Sequence, residues 1–173
     1  IMNRNKILII ALAATILASC TKLDRVPETN FADTGYWNTE ADLQNAANRL
    51  YQQMVGHVID NRADDNTGQN IDAVSTGNRG IPATSGDWSN PYQMIFTANN
   101  ILEKGGKAAV TDAIKNRYFA EARFFRAYAY AMLIEKYGDV PLVLKTLGIN
   151  DPDLKMPRTA RATVAKTIYE DLD

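Results

Sequence analysis

The sequence has one cysteine and one histidine in 173 residues, and its charges almost cancel. A single cysteine excludes an internal disulfide and any CxxC metal site, and a single histidine excludes a centre built from several imidazoles. Lys and Arg number 19 and Asp and Glu number 20, which gives a formal net charge of −1. Because general nucleic-acid binding depends on excess positive charge, we expect no nucleic-acid partner.

The sequence also lacks an apolar run long enough to cross a bilayer. Residues 7–17 (ILIIALAATIL) carry no charge, but a membrane-spanning helix needs about 20 apolar residues. The run follows a basic start and ends in Leu-Ala-Ser before Cys20, which is typical of a bacterial lipoprotein signal peptide. We therefore predict that residues 1–19 are removed and that Cys20 is lipidated. Several acyl chains then form a durable membrane anchor.

The rest of the chain predicts a short tether followed by one helical domain. Residues 20–38 are polar and irregular, and we predict a lipid-anchored tether and docking segment there. Residues 39–173 are predicted to form the domain. Thr39 is a candidate helix N-cap with Asp42 as its capping-box partner, and apolar residues then recur at spacings of three and four.

Three more helices are predicted beyond the first. One begins near Tyr92 and ends at the glycine pair 105–106. The strongest covers residues 115–137, and because it is apolar around most of its circumference it should pack between other helices. The last begins at Thr163 and reaches the final residue without a stop signal, so we expect the domain to be incomplete at its C-terminus.

Residues 61–91 predict a long irregular loop because they are rich in glycine and aspartate and poor in apolar side chains. Loops of this length are usually functional or disordered. Asp64 and Asp65 lack the spacing of a calcium loop, so no metal site is predicted. His57 has no nucleophile-elbow motif to accompany it, and the sequence contains no P-loop or GxGxxG motif. These observations predict no cofactor and no catalytic residue.

One signature string is specific. Residues 120–143 read AEARFFRAYAYAMLIEKYGDVPLV, which resembles the hallmark helix of the SusD/RagB family. Two other blocks, around Trp88–Leu102 and Pro157–Leu172, resemble further family segments in the same order. The resemblance covers essentially the whole chain. Family members are much longer, so the chain corresponds to their N-terminal portion.

The resemblance implies an all-α fold of tetratricopeptide-like helix pairs. It implies a non-catalytic outer-membrane lipoprotein at the surface of a Bacteroidetes-type bacterium, which binds glycans and delivers oligosaccharides to a SusC-type TonB-dependent transporter. The residues themselves support helix pairs only, because Ala120, Phe124 and Ala127 match the second half of a tetratricopeptide repeat without its first half.

Sugar binding needs an aromatic ring for the apolar face of a pyranose and planar polar groups for its hydroxyls. The 61–91 loop offers Asp72, Arg79 and Trp88 as candidate ligand-binding residues. A solvated surface loop explains the same residues equally well, and Trp88 also fits a packing position at a helix start. Glu121, Arg123 and Arg126 are expected to pair with neighbours rather than bind ligand.

Other functions stay open at this point. A lipid-anchored helical scaffold for protein–protein contact is consistent with the same sequence features, and so is a peptide-binding member of the resembled family. A surface hydrolase would need catalytic residues outside these 173 positions.

Overall fold

The computed structural model describes residues 35–54, 73, 75–78 and 80–173, and four α-helices contain most of them. The helices are α1 (Glu40–Gln53), α2 (Gly86–Lys104), α3 (Asp112–Tyr137) and α4 (Arg161–Leu172), with short 3-10 helices at Gly105–Lys107 and Pro152–Lys155. Within the described ranges, β pairing is limited to an antiparallel bridge between Val140 and Thr159. The predicted all-α fold is therefore confirmed, and Trp37–Asp173 form one compact unit.

The capping box predicted at the start of α1 is present. The Asp42 backbone N–H donates to Thr39 Oγ1 at 3.3 Å, and the Thr39 backbone N–H donates to Asp42 Oδ2 at 2.8 Å. The face that follows is buried at Leu43, Ala46, Ala47 and Leu50. Helix α1 ends at Gln53.

The carboxylate of Asp42 makes the stability of α1 pH-dependent. Hydrogen bonds from the Thr39 side chain and backbone lower the pKa of Asp42 below its ordinary value of 3.8. Because the folded-state pKa is depressed, the stabilisation is complete above the unfolded-state pKa and is lost as pH falls through the folded-state pKa. Replacing Asp42 by Ala should lower the free energy of unfolding by about 1 kcal/mol at pH 7. In urea titrations the difference from the wild type should shrink at pH 3; an equal difference at both pH values would contradict this prediction.

The segment just before α1 is attached to the domain. Trp37 is buried and its φ of 74° lies in the left-handed region, which is uncommon for a bulky residue. The Asn38 carbonyl accepts a hydrogen bond from the Ala109 backbone N–H at 2.9 Å. These contacts hold the end of the predicted docking segment against the turn between α2 and α3.

Helix α2 begins earlier than the sequence predicted. The loop was expected to end at residue 91, because residues 61–91 are rich in glycine and aspartate and poor in apolar side chains. The helix instead begins at Gly86 and contains Pro91, which is buried. Packing of the buried Pro91 ring therefore outweighs the helix-breaking tendency of proline. Trp88 lies in the first turn of this helix, at the helix-start position that was the alternative to a loop position.

Helix α3 is central, as its apolar circumference predicted. It packs against α1, α2 and α4. Ala122 and Ala129 are fully buried, which lets neighbouring backbones approach closely, while Phe125 and Tyr130 fill the space between helices. The helix ends at Gly138 with φ of 70°, a conformation in which glycine avoids a steric penalty.

Helix α4 begins at Arg161, two residues before the predicted Thr163, and its buried residues are Val164 and Thr167. Among the described residues, no helix combines the length and apolar character needed to cross a membrane.

Candidate functional site

The structure describes one of the four residues named from the sequence for lipidation or ligand binding. Trp88 lies at the start of α2 and is half-buried. Cys20, Asp72 and Arg79 lie outside the described residues, as does His57. The predicted cluster of Asp72, Arg79 and Trp88 therefore stays a prediction.

Trp88 is packed against two tyrosines and one arginine. Its ring centroid lies 5.1 Å from that of Tyr92 at an interplanar angle of 48°, and 5.0 Å from that of Tyr137 in an edge-on arrangement at 87°. The guanidinium carbon of Arg158 lies 5.2 Å from the centroid of the indole ring. Such cation–π and aromatic contacts fix the orientation of the indole and cover much of its surface.

Hydrogen bonds and an ion pair anchor the surroundings of Trp88 to three parts of the chain. The Tyr92 hydroxyl donates to the Pro141 carbonyl at 2.9 Å, and burial raises the pKa of Tyr92 well above its ordinary value. Arg158 Nη1 donates to the Asp139 carbonyl at 2.8 Å. Lys136 Nζ lies 2.7 Å from Asp87 Oδ1. The arrangement joins the start of α2 to the end of α3 and to the segment before α4.

The concavity beside this region is small. It is lined by residues of α1, α2 and α3, namely Gln53, Gly86, Asp87, Asn90, Pro91, Met94 and Met132, and its volume is about 30 Å³. That is the volume of about one water molecule, whereas small-molecule pockets measure about 300–1,000 Å³. A glycan at Trp88 would therefore bind on open surface and not inside this concavity.

Two of the three polar residues singled out in the signature string, Arg126 and Glu121, have structural partners, as the sequence predicted. Arg126 binds Asp171 of α4 through two bonds, Nε to Oδ2 at 2.8 Å and Nη2 to Oδ1 at 2.6 Å. Glu121 Oε1 lies 3.4 Å from Arg117 Nε. Arg123 is exposed.

A second polar residue, Asn99, completes the Arg126 network. Asn99 is fully buried and accepts from Arg126 Nη1 at 2.9 Å. Its Nδ2 donates to the carbonyls of Val143 and Lys145 at 3.1 and 3.0 Å. Asn99, Arg126 and Asp171 come from the three signature blocks, so the network joins these blocks in the folded chain.

The hydroxyl of Tyr130 holds the segment after α3 in place. The Tyr130 hydroxyl donates to the Val143 carbonyl at 2.9 Å and accepts from the Val143 backbone N–H at 2.7 Å. Burial raises the pKa of Tyr130 to about 12, so the phenol stays protonated at neutral pH.

The described residues provide no arrangement for a metal ion. Across 35–54, 73, 75–78 and 80–173, no three His, Cys, Asp or Glu side chains are grouped as ligands. Asp151 and Asp153 lie near each other, but Lys145 Nζ is 3.4 Å from Asp151 Oδ2 and 2.7 Å from Asp153 Oδ2. Hydrogen bonding to Asp153 raises the pKa of Lys145.

Comparisons with known structures identify the class of fold. A SusD-like protein from Bacteroides fragilis matches 81% of this chain and 30% of its own, with a TM-score of 0.66 and 23% identity. A second B. fragilis structure, described as a SusD-like carbohydrate binding protein, matches 78% of this chain and 30% of its own, with a TM-score of 0.56 and 21% identity. The helices therefore form the tetratricopeptide-like fold of SusD-like proteins, as predicted.

Sequence comparisons define the family. The profile of the SusD-like family described as "Starch-binding associating with outer membrane" matches residues 13–172. A SusD-like protein of Bacteroides ovatus is 28% identical over all of this chain and 34% of its own length. SusD-like protein P2 of Formosa agariphila is 30% identical over 82% of this chain and 31% of its own length. The chain belongs to the SusD-like family, and it spans about a third of the length of these relatives.

Proposed function

We propose that this protein is a non-catalytic, lipid-anchored protein of the outer membrane that binds glycans at the cell surface and delivers oligosaccharides to a SusC-type TonB-dependent transporter. The match of residues 13–172 to a family described as starch-binding and associated with the outer membrane is the observation that carries the proposal. The family assignment does not depend on one short motif, because the match extends over nearly the whole chain.

The proposed ligand site includes Asp72, Arg79 and Trp88. Trp88 keeps part of its indole exposed while Tyr92, Tyr137 and Arg158 hold the ring in place. A preoriented ring loses little conformational freedom when a sugar stacks on it, which favours binding. Carboxylate and guanidinium groups supply the planar hydrogen-bonding partners for hydroxyl groups.

Affinity electrophoresis in native gels tests glycan binding. The purified protein should be retarded by at least one polysaccharide from a panel that includes soluble starch. Arg79→Ala should weaken that retardation, whereas Arg123→Ala, a change at an exposed arginine of α3, should leave it unchanged. Trp88→Phe keeps a ring in the packed position and should weaken binding less than Trp88→Ala. Equal retardation of all four variants and the wild type would remove Arg79 and Trp88 from the site.

The release of cleaved product distinguishes a hydrolase from a binding protein. Incubation of the protein with the polysaccharide that it binds should release no reducing ends over background. Steady release that disappears on replacing one carboxylate would overturn the non-catalytic proposal.

Lipid attachment at Cys20 has its own test. Cells expressing the protein should incorporate radioactive palmitate into it, and Cys20→Ala should abolish the labelling because the thiol that receives the lipid is removed. Unchanged labelling of the Cys20→Ala variant would contradict lipidation at this position.

A helical scaffold for protein contact is the second candidate, together with a peptide-binding member of the family. Several large apolar side chains of the later part of the chain are strongly exposed, among them Ile149, Leu154, Tyr169 and Leu172. Apolar surface of this kind suits a protein partner. Co-purification with a transporter without retardation by any polysaccharide would favour the scaffold, and retention on immobilised peptides would favour the peptide-binding alternative.

A further inference from the structure

A buried oxygen atom at the end of α1 has no hydrogen-bond donor. Gln53 is the last residue of α1. Its Oε1 atom is buried, and no donor lies within hydrogen-bonding distance of it among the described residues. Leaving a buried amide oxygen unpaired costs free energy, so such atoms are rare in folded proteins. The Gln53 oxygen therefore calls for a donor that another molecule supplies.

The Gln53 side chain lines the concavity between α1, α2 and α3 described above. The volume of this concavity is about 30 Å³, and a site needs roughly 10–15 Å³ to admit one water molecule. A water also needs two to four polar partners, because a purely apolar cavity of this kind stays dry. The concavity therefore has room for a water molecule or a group of similar size, and none for a sugar ring.

The same concavity lies at the start of α2, where backbone donors need an acceptor. Gly86 and Asp87 are the first two residues of α2, and both line the concavity. The first N–H groups of a helix have no acceptor within the helix, so they depend on a capping group. The N-cap residue Ser85 makes no side-chain bond to them, and its carbonyl accepts from the N–H groups of Trp88 and Ser89. Among the residues that the structure describes, the N–H groups of Gly86 and Asp87 remain as donors.

We propose that the concavity binds one ordered water molecule that donates to Gln53 Oε1 and accepts from a backbone N–H of Gly86 or Asp87. The second hydrogen of the water is donated to a side-chain oxygen of Asn90 or Asp87, which also line the concavity. Water fits because the site contains both donors and acceptors, and one water molecule can pair with both.

The charges around the concavity favour a neutral molecule over an ion. The N-terminus of α2 carries partial positive charge, which repels a cation. The Gln53 oxygen and the Asp87 carboxylate carry negative charge, which repels an anion. The carboxylate is already paired, because Asp87 Oδ1 lies 2.7 Å from Lys136 Nζ. A water molecule satisfies the unpaired groups without adding charge.

The bound water joins two helices at the point where Trp88 is held. It connects the last residue of α1 to the first turn of α2, and that turn contains Trp88. It also completes the cap that the Ser85 side chain does not provide. The inference is independent of the proposed glycan binding, since it concerns only groups that line the concavity.

A crystal structure of the protein, at a resolution that shows ordered water, tests the inference. Electron density should lie about 2.5–3.2 Å from Gln53 Oε1 and from the backbone nitrogen of Gly86 or Asp87. Gln53→Met keeps the length of the side chain but removes the acceptor, so this density should be lost. Gln52→Met changes an exposed neighbour on α1 and should leave the density in place. Urea midpoints confirm that both variants are folded.

A solution measurement gives the same decision without crystals. In the wild type, nuclear Overhauser effects should connect a long-lived water with the amide protons of Gly86 or Asp87, and Gln53→Met should abolish them. Neither density nor such effects in the wild type would overturn the inference. Density that persists in Gln53→Met would show that Gln53 does not hold the water, which overturns it as well. A protein donor bonded to Gln53 Oε1, or a metal ion about 2.0–2.6 Å from it, would also contradict the proposal.

Discussion

Replacing Arg126 by leucine is expected to lower the free energy of unfolding by about 3–5 kcal/mol, because it leaves the carboxylate of Asp171 buried without its partner. The Asp171 side chain is only 6% exposed and that of Arg126 only 12%. The variant loses both hydrogen bonds to Asp171 and the third hydrogen bond to Asn99. Urea unfolding followed by circular dichroism measures the change.

The matched control is an exposed arginine–glutamate ion pair on the same helix. Arg117 pairs with Glu121, and its side chain is 69% exposed. Arg117→Leu should change the free energy of unfolding by no more than about 0.5 kcal/mol. The double variant Arg126→Leu with Asp171→Leu should recover much of the loss, since no charge is left buried. An equal loss of unfolding free energy in Arg126→Leu and Arg117→Leu would contradict the claim that the buried pair stabilises the fold more than the exposed pair does.

Replacing Asn99 by alanine is expected to destabilise the protein by about 3 kcal/mol, because it removes three part-buried hydrogen bonds. The Lys145 carbonyl and Arg126 Nη1 lose the partner that Asn99 provides, and the Val143 carbonyl keeps only the bond from the Tyr130 hydroxyl. The segment from 143 to 145 should detach locally before the domain unfolds. Limited proteolysis, with cleavage sites mapped by mass spectrometry, should show new cleavage there.

Asn100 supplies the neighbouring control for Asn99. Its Nδ2 donates only to the Phe96 carbonyl one turn earlier, at 2.9 Å. Asn100→Ala should leave the free energy of unfolding within about 0.5 kcal/mol of the wild type. Destabilisation by Asn100→Ala equal to that by Asn99→Ala, with no new cleavage near Val143, would contradict the proposed anchoring.

Much of the fold was predictable because its causes are local. The apolar spacing after Thr39 and the Thr39–Asp42 capping box predicted α1, and the predicted end of α3 at residue 137 is the observed one. The apolar circumference of α3 predicted that it packs between other helices. Each of these signals depends on residues within a few positions of one another, so a single sequence contains it in full.

The features that were missed depend on partners far away in the sequence. The start of α2 was misplaced because the packing that accommodates Pro91 comes from other elements. Asn99 occupies a position on an apolar helix face. Its hydrogen-bonding role is visible only in the structure, where Arg126 and Val143 lie beside it. A lone asparagine in an otherwise apolar helical pattern was the available signal.

At the candidate site, too, the contacts between residues far apart in the sequence could not be predicted. The sequence singled out Trp88 as the one aromatic residue of its loop, yet it contained no sign that Arg158 lies against the indole ring. Ring contacts between helices are set by packing, and periodicity does not determine them.

Binding of a fluorescent polysaccharide to intact cells tests the central claim most directly. Cells that produce the wild-type protein should bind at their surface a polysaccharide that retards the purified protein. Cells that lack the gene should bind little, and cells producing the Cys20→Ala variant should lose most of the binding because the protein is no longer anchored. Equal surface binding by cells with and without the gene would contradict glycan capture by this protein at the cell surface.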